Sequence, residues 1–204
     1  SILCSLVFFT NCGDSDDPVA DVGPFTGSIG DTYQGGIVFY LDGNGGGLIA
    51  ATEDQTSGYA EDGAEWGCSS GTEISGADGT AIGTGAQNTL DILAGCSEDG
   101  IAAKLASDYE VTVDGVTYDD WFLPSKDELK KICENIGPGN MLGLGNVGAF
   151  IDDLYWSSTE YDRNWSTTEV PYTLAWLQNF KIDCNQFELN KSSLVSVRSV
   201  RAFN

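Results

Sequence analysis

The segment WFLPSKDELKKICENIGPG carries the sharpest periodicity in the chain. Leu129, Ile132, Cys133 and Ile136 fall at i, i+3, i+4 and i+7, one apolar stripe, and predict a helix. Ser125 followed by Glu128 is a capping-box signature at its start, and Gly137-Pro138 stop it. Two weaker helical patterns precede it. AQNTLDILAGC puts Leu90, Leu93 and Ala94 on one face, and SEDGIAAKLASDY does the same for Ile101, Ala102 and Leu105. Strand patterns open and close the chain. GGIVFYLDGNGGGLIAAT predicts a hairpin of strands 36–41 and 47–52 about a glycine-rich turn. Residues 172–180 alternate Tyr172, Leu174, Trp176, Gln178 and Phe180 against the opposite face. With 155–158, 186–189 and 194–203 they predict an antiparallel C-terminal sheet. The mixture indicates an α+β domain.

Between these elements the pattern fades. Residues 53–85 are rich in Gly, Ser, Thr and acids, with Trp66 and Cys68 as expected anchors of a long irregular loop. Residues 13–29 have no sustained periodicity and read as a flexible acidic tether, with order expected from about Tyr33. The first twelve residues, SILCSLVFFTNC, hold an apolar run too short to span a bilayer but suited to a signal peptide core. Phe9-Thr10-Asn11-Cys12 resembles a lipobox, and the acidic GDSDD that follows resembles the export signal of surface lipoproteins in Bacteroidetes-type bacteria. The expectation is lipidation at Cys12, with residues 1–12 a signal remnant and residues 30–204 the folded domain. Four further cysteines, Cys68, Cys96, Cys133 and Cys184, then suggest two disulfides in an oxidising compartment. Three connectivities are open; the expected one pairs Cys68 with Cys96 and Cys133 with Cys184.

Composition narrows the function. Nine Lys and Arg against 31 Asp and Glu give a formal net charge of −22, a field that repels phosphate backbones and argues against a nucleic-acid partner. The chain has no histidine, which removes Ser-His-Asp and Cys-His activation and the usual zinc sites. The serines of LYWSSTEYDRNW therefore have no histidine to serve as their base. Carboxylate pairs remain, but Asp119-Asp120 and Asp152-Asp153 are sequence neighbours, and neighbours on a strand point to opposite faces. The reading is non-enzymatic. Ligand contact is expected in the loop 159–171, where Glu160, Asp162, Arg163, Asn164 and Trp165 combine acceptors, donors and an aromatic platform for a carbohydrate or a surface protein. Glu160 and Asp162 are the candidate calcium ligands; no other cofactor is indicated. Among so few basic residues, Arg198 and Arg201 are expected to include at least one internal ion pair.

Taken in order, GGIVFYLDGNGGGLIAAT, AQNT, DWFLPSKDEL, YWSSTE, AWLQNF and VRSVRAF resemble the DUF1566 domain, also called the Lcl C-terminal domain, over roughly residues 30–203. The resemblance implies a C-type-lectin-like fold, two main helices on a twisted antiparallel sheet with long irregular loops. It also implies pairing of the 37–41 strand with the terminal strand. Members occur on bacterial surfaces, so the resemblance implies an adhesion module at the outer-membrane surface or outside the cell. The family's association with glycosaminoglycans conflicts with a charge of −22, and the calcium-dependent sugar motifs of animal lectins are absent. The fold also serves formylglycine-generating enzymes, but Cys133 on an apolar stripe supports no such chemistry. The alternative reading is a structural surface protein that self-assembles or associates with other surface proteins.

Overall fold

Asp42 sets the first hairpin: its carboxylate accepts the Asn44 and Gly46 N–H groups at 2.6 and 3.1 Å, and Gly43 and Gly45 supply the positive φ of 81° and 98°. The turn joins β2 (Gly36–Leu41) to β3 (Gly47–Ala51). A short β1 (Thr32–Tyr33) edges β2, and the terminal β9 (Val200–Phe203) pairs with β3. The order β1-β2-β3-β9 corrects the expected pairing of the 37–41 strand with the terminus. The hairpin places β3 between them, and every residue of β3 is buried.

The computed structural model describes residues 24–56, 62–68, 71–161, 173–181 and 184–204. Over these the fold is mixed α+β, with three antiparallel sheets and three helices. The remaining elements are α1 (Gly85–Gly95), α2 (Ala102–Ser107), β4 (Val111–Val113), β5 (Val116–Tyr118), α3 (Lys126–Asn135), β6 (Leu154–Glu160), β7 (Leu174–Asn179) and β8 (Gln186–Asn190). The strands β6, β7 and β8 form a meander, and β4 pairs with β5 alone. That last hairpin is absent from the sequence reading. Its Asp114-Gly115 turn, both residues at positive φ between two alternating VT runs, is the signal that announces it.

The helix α3 follows its pattern. Ser125 Oγ accepts the Glu128 N–H, and the Glu128 carboxylate accepts the Ser125 N–H at 2.7 Å. Leu129, Ile132 and Cys133 are fully buried. The helix α1 departs from its pattern: Leu90 is 61% exposed, whereas Gly85, Asn88, Thr89 and Ile92 face inward. Asn88 donates to the Gly79 carbonyl and to Ser158 Oγ, and Thr89 donates to the Gly85 and Leu123 carbonyls while accepting the Leu123 N–H. A buried polar stripe, each member partnered, outcompetes the leucine face because it closes loop backbone that would otherwise lack partners.

Order begins earlier than Tyr33. Phe25 packs against Tyr33 and Phe203, with ring centroids 4.6 and 5.3 Å away. Both expected disulfides form, Cys68–Cys96 with Cα atoms 5.3 Å apart and Cys133–Cys184 at 5.9 Å. Loops of this length correspond to about 3.5–4 kcal/mol each through the unfolded chain. Trp66, at 0% exposure, anchors the irregular region by donating to the Ser157 carbonyl at 2.8 Å.

Candidate functional site

The strand β6 concentrates the polar groups that first suggest chemistry, and the structure partners each with the surrounding framework. Ser157 Oγ donates to the Trp176 carbonyl at 2.8 Å. Ser158 Oγ accepts from Asn88, and Thr159 Oγ1 donates to the Gly79 carbonyl and accepts the Lys126 N–H. All three residues are at 0% exposure. Trp156 is buried beside them, with its indole N–H on the Ala64 carbonyl. These hydroxyls fasten loop 74–84, α1 and the N-terminus of α3 to the sheet. They are structural bolts.

Glu160 differs from its expected place. It was expected on the exposed ligand face and in a calcium pair with Asp162; instead it is 4% exposed. Its carboxylate is engaged by the Lys191 ammonium and by the Ile74 N–H at 3.0 Å. Lys191 is itself fully buried, donates to the Thr72 carbonyl at 3.3 Å, and lies 4.5 Å from the Trp66 ring centroid. Burial pushes the Glu160 carboxyl up and the Lys191 ammonium down, and the ion pair opposes both shifts. A carboxylate committed in this way has no free face for a ligand. The other expected contact residues, Asp162, Arg163, Asn164 and Trp165, lie outside the described residues, as does Cys12.

What the described residues place at the foot of segment 162–172 is an aromatic platform. Tyr161 follows β6 directly, and its N–H donates to the Leu174 carbonyl at 3.0 Å. Its ring meets Trp176 of β7 edge-on, with centroids 5.2 Å apart at 70°. Trp176 is half-buried and points to the outer face, although the alternating pattern alone is equally compatible with a core residue. Lys126 holds its ammonium 3.3 Å from the Trp176 ring centroid, a cation–π contact, and burial lowers its pKa. Glu188 sits directly across from Trp176 in the β7–β8 register, and Gln186 donates to the Lys126 carbonyl at 2.7 Å. The platform thus gathers two aromatic rings, one cation and one carboxylate within a few residues of the loop.

A second concavity, of about 430 Å³, lies between the β1–β2 turn and the β4–β5 hairpin and is lined by Tyr33, Gln34, Asp114, Val116 and Tyr118 among others. Arg201 stacks on Tyr118 at 4.6 Å, bonds Gln34 at 2.5 Å and pairs with Asp120. Arg198 is more deeply placed, 1% exposed, and bonds Asp54 at 2.6 Å with the Ala51 and Gly148 carbonyls. Both arginines therefore make internal ion pairs. Of the acidic pairs weighed for catalysis, Asp120 is taken by Arg201, and Asp153 is buried, accepting from Ser196 Oγ at 3.0 Å. The metal-ligand cluster found among the described residues, Cys68, Cys96 and Glu98, has both sulfurs joined in a disulfide and offers no thiolate.

No family model and no curated protein matches the chain.

Proposed function

We propose that the chain is a non-enzymatic binding module, built on a C-type-lectin-like fold of the DUF1566 type and displayed at a bacterial surface through a lipid at Cys12. It recognises a carbohydrate or protein ligand on the Trp176–Tyr161 platform together with Asp162, Arg163, Asn164 and Trp165 of the adjoining segment. The observation that carries this reading is the half-buried Trp176 on the outer face of β7, edged by Tyr161 and capped by Lys126. Indole faces stack on the apolar side of sugar rings and anchor protein hot spots, while nearby donors and acceptors fix orientation. Two disulfides support an oxidising compartment. Recognition requires no proton transfer, consistent with the partnered state of the β6 hydroxyls.

A glycan array probed with the intact chain tests it. Binding lost in Trp176→Ala and in Trp165→Ala, with unchanged melting, is the expected outcome. Binding that survives both substitutions moves the site elsewhere. Ordered polymers with no ligand on any array would favour the assembly alternative.

A further inference from the structure

Between Glu134 and Asp152 the chain contains no charged residue, although the whole carries 31 acids. This loop exposes five large apolar side chains: Met141 at 81%, Leu142 at 52%, Leu144 at 39%, Val147 at 40% and Ile151 at 42%. A loop of this kind would ordinarily present backbone polar groups to water. Here two asparagines close many of them from within. Asn140 accepts the Leu144 N–H and donates to the Gly137 and Gly145 carbonyls. Asn146 accepts the Phe150 N–H at 3.1 Å and donates to the Phe150 carbonyl at 2.7 Å. The Met141 and Gly148 N–H groups bond back to the Glu134 and Ile136 carbonyls of the helix end. The loop is therefore an ordered body with its polarity folded inward and its apolar side chains outward. Packing within the domain gives no reason for Met141 to stand out.

We infer that this loop is a lipid-insertion device, seating the domain on an uncharged or zwitterionic membrane surface through Met141, Leu142 and Leu144. Three observations favour lipid over a protein occupant. A second copy would bring another charge of −22 against the first, a repulsion that a charge-free patch does not offset. Lys130 and Lys131, two of the nine basic residues, stand exposed at the loop's root, paired with the Glu134 whose carbonyl receives Met141. Lysines beside an apolar wedge reach lipid phosphates while their stems lie along the acyl boundary. Finally, the chain's N-terminal approach runs beside the loop: a methyl placed on Gly30 would meet Leu144 at 3.0 Å and Val147 at 3.8 Å. Cys12, the expected lipidation site, lies upstream of that contact. A lipid at Cys12 would tether the chain, and a second contact through the loop would fix its orientation. The inference stands on the loop and does not require the carbohydrate reading.

The test uses the full chain carrying Cys12→Ser, so that no acyl group contributes, with Leu142→Trp as reporter and vesicles of phosphatidylcholine as probe. The expected result, read as the emission that Leu142→Trp adds over the parent's five tryptophans, is a blue shift on mixing and quenching by acyl-chain-brominated lipid. Met141→Asp with Leu144→Asp should weaken flotation with the vesicles by on the order of tenfold or more while leaving the thermal melt in place. A difference emission that stays water-like and is not quenched overturns the inference. So does flotation unaffected by the double substitution, which would assign binding to the N-terminal run. A dimer abolished by the same double substitution, without acyl quenching, would make the occupant a second copy and also overturns it.

Discussion

The strand β6 and the loop 137–151 invert the usual distribution of polarity, and they do so in opposite directions. In β6, hydroxyls and a carboxylate are buried and each has a partner from a distant part of the chain. In the loop, apolar side chains are exposed and asparagines stay local, bonding backbone within four or five residues. The two regions differ in what the polar atoms are for. In β6 they hold separate segments together; in the loop they make an apolar surface stable enough to present. A polar run is therefore no guide to a site, and an apolar loop is no guide to a core.

The contrast predicts that β6 tolerates little. Lys191→Met leaves Glu160 buried and unpaired and should cost about 3–5 kcal/mol, whereas Lys191→Met with Glu160→Leu should recover most of that. Denaturant midpoints of the two single variants and the double variant decide it; additive losses would mean the pair is not coupled. Next in size is Arg198→Met, which strands Asp54 and the Ala51 and Gly148 carbonyls and should cost about 3 kcal/mol. Arg201→Met, whose partner Asp120 is 60% exposed, should cost only about 0.5–1 kcal/mol. Equal shifts for the two arginines would break the argument from burial. Removing the α3 cap with Ser125→Ala should cost about 1 kcal/mol by thermal melting.

The pH response follows from Glu128. Burial raises its carboxyl above the ordinary value, against the hydrogen bonds from Ser125 and Gly83 that favour the charged form. A raised folded value means the group's contribution is fully present below the unfolded value of about 4.3 and is lost as pH rises through the folded value. Denaturant midpoints should therefore fall less steeply from about pH 4 upward in Glu128→Gln than in the parent. An identical slope would place Glu128 in a more solvated setting. The smallest effect belongs to the loop: Leu142→Ser should change stability by less than about 0.5 kcal/mol, because that side chain faces water.

Local grammar was legible where it acts over a few residues. The α3 stripe and its capping box and the Asp42 hairpin are visible in spacing or turn residues, and the even count of four cysteines signals two disulfides without choosing their partners. Long-range partners were not. Nothing local marks Glu160 for Lys191, 31 positions away, or turns the Asn88–Thr89 edge of α1 inward past Leu90. The strand order failed for the same reason: the terminal strand's neighbour depends on which edge of the hairpin is free, and β1 occupies the other. The alternation over residues 172–180 does not say which face meets solvent, so the outward place of Trp176 is not legible in it. The Asp114-Gly115 turn of β4–β5 is a local signal of the same kind as the Asp42 turn.

The most direct measurement is a calorimetric titration of an array-identified ligand into the parent, Trp176→Ala and Thr159→Val, each with its melting curve. Trp176→Ala should lose affinity by at least about tenfold at unchanged stability. Thr159→Val should lose stability and bind normally once folded. Affinity that follows Thr159 at constant stability, with Trp176 silent, would contradict it, and would return the function to the hydroxyls of β6.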